Sequence, residues 1–148
     1  MQKITLGLGC FWGPEETFKS KPGIIETEVG YAGGSSAKVT YEEVCTGTTG
    51  HAEVVRLTFD ENIISFKKLI ELFFKMHDPT QKDMQYPDVG TQYRSEIFYE
   101  DDSQKVEAKE ILETFNKELN GKIQTNISQL KNYCKAEEYH QKYLEKNR

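Results

Sequence analysis

The chain has 148 residues, of which 36% are hydrophobic, 29% charged and 11% aromatic, enough for one soluble globular domain over residues 1–148. A formal net charge of -5, with no clustered Lys and Arg, argues against a nucleic-acid backbone as partner. No apolar run nears the ~20 residues of a membrane span and Met1–Gly7 lacks the apolar core of a secretory signal, so a cytoplasmic setting is expected.

Residues 3–9 alternate, with Ile4, Leu6 and Leu8 on one face, and predict a first strand. Gly13-Pro14-Glu15-Glu16 reads as a helix start, ending near Lys21 before Pro22-Gly23. Ile24 to Ala32 predicts a second strand, followed by a flexible loop at Gly33-Gly34-Ser35-Ser36. Ala52 to Asp60 alternates again, with Val55, Leu57 and Phe59 sharing a face. Ser65 then caps an amphipathic helix carrying Phe66, Leu69, Ile70, Phe73 and Phe74. The polar stretch from Asp78 to Arg94, broken by Pro79, Pro87 and Gly90, is a long loop of the kind that usually carries function. A strand from Arg94 to Glu100 and a helix from Asp101 to Leu119, closed by Asn120-Gly121, come next. Ile123, Thr125 and Ile127 suggest a last short strand, and a charged helix is expected from about Ala136.

Three cysteines without short, regular spacing argue against a disulfide framework and for reduced thiols. One of them, Cys10, stands between Gly9 and Phe11-Trp12-Gly13, where the first strand hands over to the first helix. Most unpaired cysteines are buried small hydrophobes. Here the flanking glycines leave the thiol open, and the chain's only Trp lies beside it, so Phe11 and Trp12 could wall a small apolar pocket. A helix N-terminus is expected to depress the thiol pKa. The dipole supplies only ~0.3–1 kcal/mol, however, and Glu15 and Glu16 oppose it, so activation needs bound substrate or a specific partner.

Gly7-x-Gly9-x-x-x-Gly13 misses dinucleotide-binding spacing by one residue, and Phe-Trp fills the space a pyrophosphate needs. Cys10, Cys45, Cys134, His51, His77 and His140 are zinc-ligand types without zinc-ligand spacing, so no metal is expected.

Gly9-Cys10-Phe11-Trp12-Gly13 resembles the signature of the methionine sulfoxide reductase A family. Five further stretches match that family in order: Val29 to Gly34, Thr40 to Cys45 leading into Thr49 to Glu53, His77 to Gln81, Asp88 to Ser95, and Ala136 to Leu144. The resemblance implies an α+β two-layer sandwich, ferredoxin-like, with a mixed, largely antiparallel sheet and flanking helices. It implies thiol-dependent reduction of the S-epimer of methionine sulfoxide, peptide-bound or free, with no metal or organic cofactor. Carried over by motif, Cys10 is the nucleophile, and Phe11 and Trp12 hold the substrate methyl group. Glu53 is the acid near the sulfoxide oxygen, Tyr41 and Tyr93 donate hydrogen bonds to that oxygen, and Asp88 shapes the polar part of the site. Strand parity supports Glu53 independently, because it shares a face with Val55, Leu57 and Phe59. Tyr41 and Tyr93 are singled out by the motif alone among eight tyrosines.

The implied cycle turns Cys10 into a sulfenic acid, which a second thiol converts to a disulfide for an external reductant to open. Many family members carry that second cysteine in a glycine-rich C-terminal tail, which this sequence, ending at Arg148, does not show. Cys45 occupies a position that is generally structural, so Cys134 is the expected resolving thiol. The alternative is direct reduction of Cys10 by glutathione, glutaredoxin or thioredoxin. Leu8, Lys38-Val39 and Tyr86-Pro87 depart from the family pattern, the last beside the substrate loop. Two rival readings are a peptide-binding module without catalysis and a thiol peroxidase indifferent to sulfoxide epimers.

Overall fold

The computed structural model describes residues 1–147. In chain order its elements are β1 (Gln2–Leu8), α1 (Trp12–Lys19), β2 (Ile24–Ala32), α2 (Tyr41–Cys45), β3 (Ala52–Phe59), α3 (Phe66–Met76), β4 (Met84–Gln85) and β5 (Asp88–Val89). Then follow β6 (Ser95–Tyr99), α4 (Asp102–Glu118), β7 (Asn126–Gln129), β8 (Cys134–Lys135) and α5 (Tyr143–Lys146). Single 3-10 turns occupy Thr91–Tyr93 and Glu138–His140.

One six-stranded sheet runs β7-β6-β1-β3-β2-β8, and β4 and β5 form a separate two-stranded hairpin. Every neighbour pair in the large sheet is antiparallel except β6 and β7, which are parallel and joined through α4. Both margins are short strands, four residues in β7 and two in β8. This is the expected α+β sandwich with a mainly antiparallel sheet.

Alternation decides which face is covered. Ile4, Leu6, Leu8, Val29, Tyr31, Val55, Leu57, Phe59 and Ile97 are buried against Phe18 of α1, the Phe66–Phe74 stripe of α3, and Ala108 and Ile111 of α4. On the opposite face a smaller cluster of Ala32, Ala52, Val54 and Phe98 is covered by Leu130 and Tyr133. Among the described residues no helix is long and apolar enough to cross a membrane.

The local signals mostly act as expected. Ser65 Oγ accepts from Lys68 N at 3.1 Å, and Asp101 Oδ1 accepts from Gln104 N at 2.9 Å. Asn120 and Gly121, at φ 58° and 74°, terminate α4. Five readings need correction. First, α1 ends at Lys19, because Lys21 N turns back to Phe18 O at 2.9 Å. Second, Gly33-Gly34-Ser35-Ser36 is tethered: Ser35 N donates to Thr49 O at 3.1 Å, and a Cβ on Gly34 would lie 2.1 Å from His51 Nδ1. Third, the last strand is centred later than expected, at Asn126–Gln129. Fourth, the long loop from 78 to 94 contains the β4–β5 hairpin, with a cis Tyr86-Pro87 bond at its turn.

The fifth correction concerns the C-terminus. In place of a continuous helix from Ala136, β8 leads into a 3-10 turn and the short α5. Lys142 is left-handed at φ 51°, which breaks the run. The amide of Gln141 is committed to β2, accepting from Val29 N and donating to Val29 O, both at 2.9 Å. A short helix, α2, was not anticipated. Its signal is legible in Thr40-Tyr41-Glu42-Glu43, a capping box in which Thr40 Oγ1 and Glu43 Oε1 each accept from the other's backbone N–H.

Candidate active site

Cys10 follows β1 and precedes α1 by one residue. Gly9 makes that corner: its φ of +97° is one that side-chain-bearing residues rarely adopt, and a Cβ there would meet Gln85 Cβ at 3.0 Å. The hairpin carrying Asp88 is thereby held against the thiol's own turn. Glu53, at the start of β3, is 1% exposed, and Phe11 N donates to its Oε1 at 3.3 Å. One hydrogen bond therefore ties the residue after the thiol to the acid. Strand parity placed Glu53 on the helix-covered face, and it is there.

The aromatic wall is braced from behind by the C-terminal segment. Trp12 Nε1 donates to His140 Nδ1 at 3.1 Å, and the Trp12 ring stacks on Tyr143 at 3.8 Å and 9°. Phe11 lies 5.8 Å from Tyr31 and 5.2 Å from His140, and Tyr41 lies 4.5 Å from His140, ring centre to ring centre. Glu137 clamps two of these elements, accepting from Tyr31 Oη and from Tyr41 N, both at 2.8 Å. Buried Glu15 accepts from Thr27 Oγ1 and from Lys142 N at 2.7 Å each, which fastens α1 to the same segment.

The electrostatics follow from burial. Desolvation pushes the Glu53 carboxyl up to about 8, against the Phe11 N–H and helped by the negative charge of Asp88. The thiol departs from expectation. Half-buried Cys10 is pushed up to about 11, chiefly by desolvation and then by Glu53 and Asp88; the Trp12 N–H at the helix start pulls downward without prevailing. The helix N-terminus thus acts in the expected direction but is outweighed. Tyr93 is raised to about 12 by burial and by the surrounding acids and thiols, and Tyr41 is raised above the usual phenol range by burial. Both hydroxyls are therefore donors at neutral pH.

The structure brings Cys10, Phe11, Trp12, Glu53 and Tyr41 together, and Asp88 and Tyr93 act electrostatically on the same centre. Cys134 stands on β8 directly opposite Tyr31, which in turn is opposite Glu53, so these three share one row and one face of the sheet. Its Sγ lies 3.6 Å from Val39 O. Cys45 is exposed at the end of α2. All three cysteines are free.

The zinc-type histidines part company. His77 bonds Phe73 O and Ser95 Oγ, each at 2.7 Å, and His51 Nε2 bonds Ser36 O at 2.8 Å. Among the described residues no group of three or more His, Cys, Asp and Glu could hold a metal ion.

Residue-by-residue reading assigned no site role to Tyr31, Glu137, His140 or Tyr143. Their signal is present in the Val29–Gly34 and Ala136–Leu144 stretches, but their function emerges only from contacts spanning more than 100 residues.

This geometry has counterparts. The family described as Peptide methionine sulfoxide reductase matches residues 2–148. The Peptide methionine sulfoxide reductase MsrA of Pelagibacter ubique is 58% identical over 146 residues, 99% of each chain. Methionine sulfoxide reductase A of Corynebacterium diphtheriae superposes with a TM-score of 0.95 at 40% identity, over 99% of this chain and 74% of that one. Mxr1 of Saccharomyces cerevisiae in complex with Trx2 gives a TM-score of 0.68 at 28% identity, over 96% and 84%. The chain therefore belongs to the peptide methionine sulfoxide reductase family, oxidoreductases that reduce methionine sulfoxide.

Proposed function

We propose that residues 1–148 act as one catalytic domain that reduces the S-epimer of methionine sulfoxide at Cys10. The observation that carries this reading is the buried Glu53 carboxyl, bonded to Phe11 N in the turn that holds the thiol and pushed up to about 8 by desolvation. Such a group is a proton donor at neutral pH. The Cys10 sulfur attacks the sulfoxide sulfur as Glu53 protonates the sulfoxide oxygen, to which Tyr41 and Tyr93 also donate, and the thiol proton restores Glu53. The hydroxyl then passes from the substrate sulfur to the Cys10 sulfur as the transient S–S bond breaks. Methionine leaves and Cys10 carries the oxygen as a sulfenic acid. Since the free thiol is held neutral, substrate binding must also drive loss of the thiol proton, which is where Glu53 and the tyrosines have their largest effect.

Stereochemistry follows from three unlike contacts around one sulfur. The methyl meets Phe11 and Trp12, the oxygen meets Glu53 and the tyrosines, and the attacking thiol fixes the third direction. The epimer with methyl and oxygen exchanged places a polar oxygen on the aromatic wall. Turnover of resolved epimers with dithiothreitol is expected for the S form alone; equal use of both would overturn the assignment.

For recycling, the Cys134 thiol displaces water from the Cys10 sulfenic acid and forms a disulfide, which a dithiol protein of the thioredoxin class reduces. The complex of Mxr1 with Trx2 supports that class of partner. Two strand spacings put the Cys134 and Glu53 backbones about 10 Å apart, whereas disulfide Cα atoms stand ~4.4–6.8 Å apart. Closing the disulfide therefore requires movement, which the two-residue strand β8 at the sheet margin is best placed to supply. Cys134→Ser is expected to abolish thioredoxin-driven turnover while leaving dithiothreitol-driven turnover within about twofold. Equal thioredoxin-driven rates in variant and parent would reject Cys134 and point to direct reduction of Cys10.

A further inference from the structure

Trp12 is held by two contacts of different kinds. Stacking on Tyr143 fixes the plane of the indole, and the bond from Nε1 to His140 Nδ1 fixes its rotation within that plane. An indole N–H is only ever a donor, so His140 Nδ1 must present a lone pair. In the neutral ring the proton then resides on Nε2.

His140 is 1% exposed and packed among Phe11, Trp12, Tyr41 and Tyr139, and its Nε2 has no hydrogen-bond partner. That missing partner has a consequence. A carboxylate or carbonyl at Nε2 would stabilise the imidazolium, whose Nδ1–H would face the Trp12 N–H donor to donor. Leaving Nε2 in an apolar enclosure keeps the ring neutral and Nδ1 free to accept.

We propose that His140, as its neutral Nε2–H tautomer, is the positioning residue that locks Trp12 into the substrate wall, and that protonation of His140 releases it. The inference rests on the proposed role of Trp12 in holding the substrate methyl group. Burial shifts the His140 pKa below the ordinary histidine value. The charged groups facing the ring are Glu137, which favours the cation, and Lys146, which opposes it; the phenols that face it are Tyr41 and Tyr139. The lock therefore holds at neutral pH and opens only in acid.

Trp12 is the chain's only Trp, so it gives one indole resonance and all the tryptophan fluorescence. Long-range proton–nitrogen NMR of the natural protein at pH 7 is expected to show His140 as the Nε2–H tautomer and an exchange-protected indole N–H. On acidification, the indole resonance should shift and Trp12 emission fall together, below the ordinary histidine pKa and before far-UV ellipticity is lost. An Nδ1–H tautomer, or no such transition, overturns the proposal without recourse to any variant.

In His140→Phe the acid transition is expected to vanish. KM for the S sulfoxide should rise about tenfold with kcat within about twofold, as loss of one hydrogen bond entails. His140→Asn, which keeps an acceptor oxygen near the Nδ1 position, is expected to recover most of the KM. A wild-type KM in His140→Phe, or a loss confined to kcat, would also overturn the positioning role. If the tautomer and titration appear as expected but the protein fails to reduce methionine sulfoxide, the substrate reading of Trp12 falls and the lock stands.

Discussion

Cys10→Ser is expected to lower methionine sulfoxide turnover by roughly three orders of magnitude or more, the scale seen when a nucleophile is removed. The substitution changes little in shape, and the side chain is only half-buried, so far-UV ellipticity and thermal midpoint should stay close to those of the parent. The loss is chemical. A serine hydroxyl is a poorer nucleophile toward sulfur and cannot accept the oxygen as a sulfenic acid. With the resting thiol raised to about 11 by desolvation, the thiol form dominates at pH 7. Activity thus depends on the substrate-bound site more than on a pre-formed thiolate. A peptide-binding module would keep its affinity and show no turnover in parent or variant; a residual rate within tenfold of the parent would sink the nucleophile assignment.

Glu53→Gln separates catalysis from stability. Removing a general acid costs about 10²–10⁴-fold in rate, and the variant should lose the decline in activity that the parent shows as pH rises through about 8. Stability should move the other way. The folded-state pKa is about 8 against an ordinary 4.5, so between those values the native protein holds a proton that the unfolded chain releases. The contribution of protonated Glu53 is fully present below pH 4.5, diminishes as pH rises, and is gone above about 8. Gln keeps the Phe11 N–H bond without ionising. Its denaturation midpoint is expected to match the parent near pH 4, to exceed it by a margin that widens up to about pH 8, and to keep that margin at pH 9. Parallel midpoints across that range would show that the parent carboxyl is not held neutral.

Much of this was legible from residues alone. Alternation in β1 and β3 identified the buried face and put Glu53 on it, and Ser65 and Asp101 announced α3 and α4 at their first residues. The glycine-bracketed Cys10 was legible because a corner leaves local marks. What stayed hidden has a common cause: nonlocal contact. Desolvation of Cys10 depends on what covers it, and so reversed the direction expected from the helix N-terminus alone. Glu137, His140 and Tyr143 act across about 100 residues of sequence or more on Tyr31, Trp12 and Tyr41. The capping box at Thr40 and Glu43 was local and readable, and it shows that a short helix with few apolar residues escapes periodicity.

The Gln141 amide has a wider meaning for the margin of the sheet. Its oxygen and nitrogen occupy the Val29 N–H and C=O, the groups on the outer side of β2 where a visiting strand would begin to pair. A side chain here imitates a peptide group and stops the ladder after the two residues of β8. A strand of another chain finds no template at this margin on which to extend the sheet. The same contact that braces the C-terminal segment thereby closes this stretch of the outer side of β2 to edge-to-edge pairing.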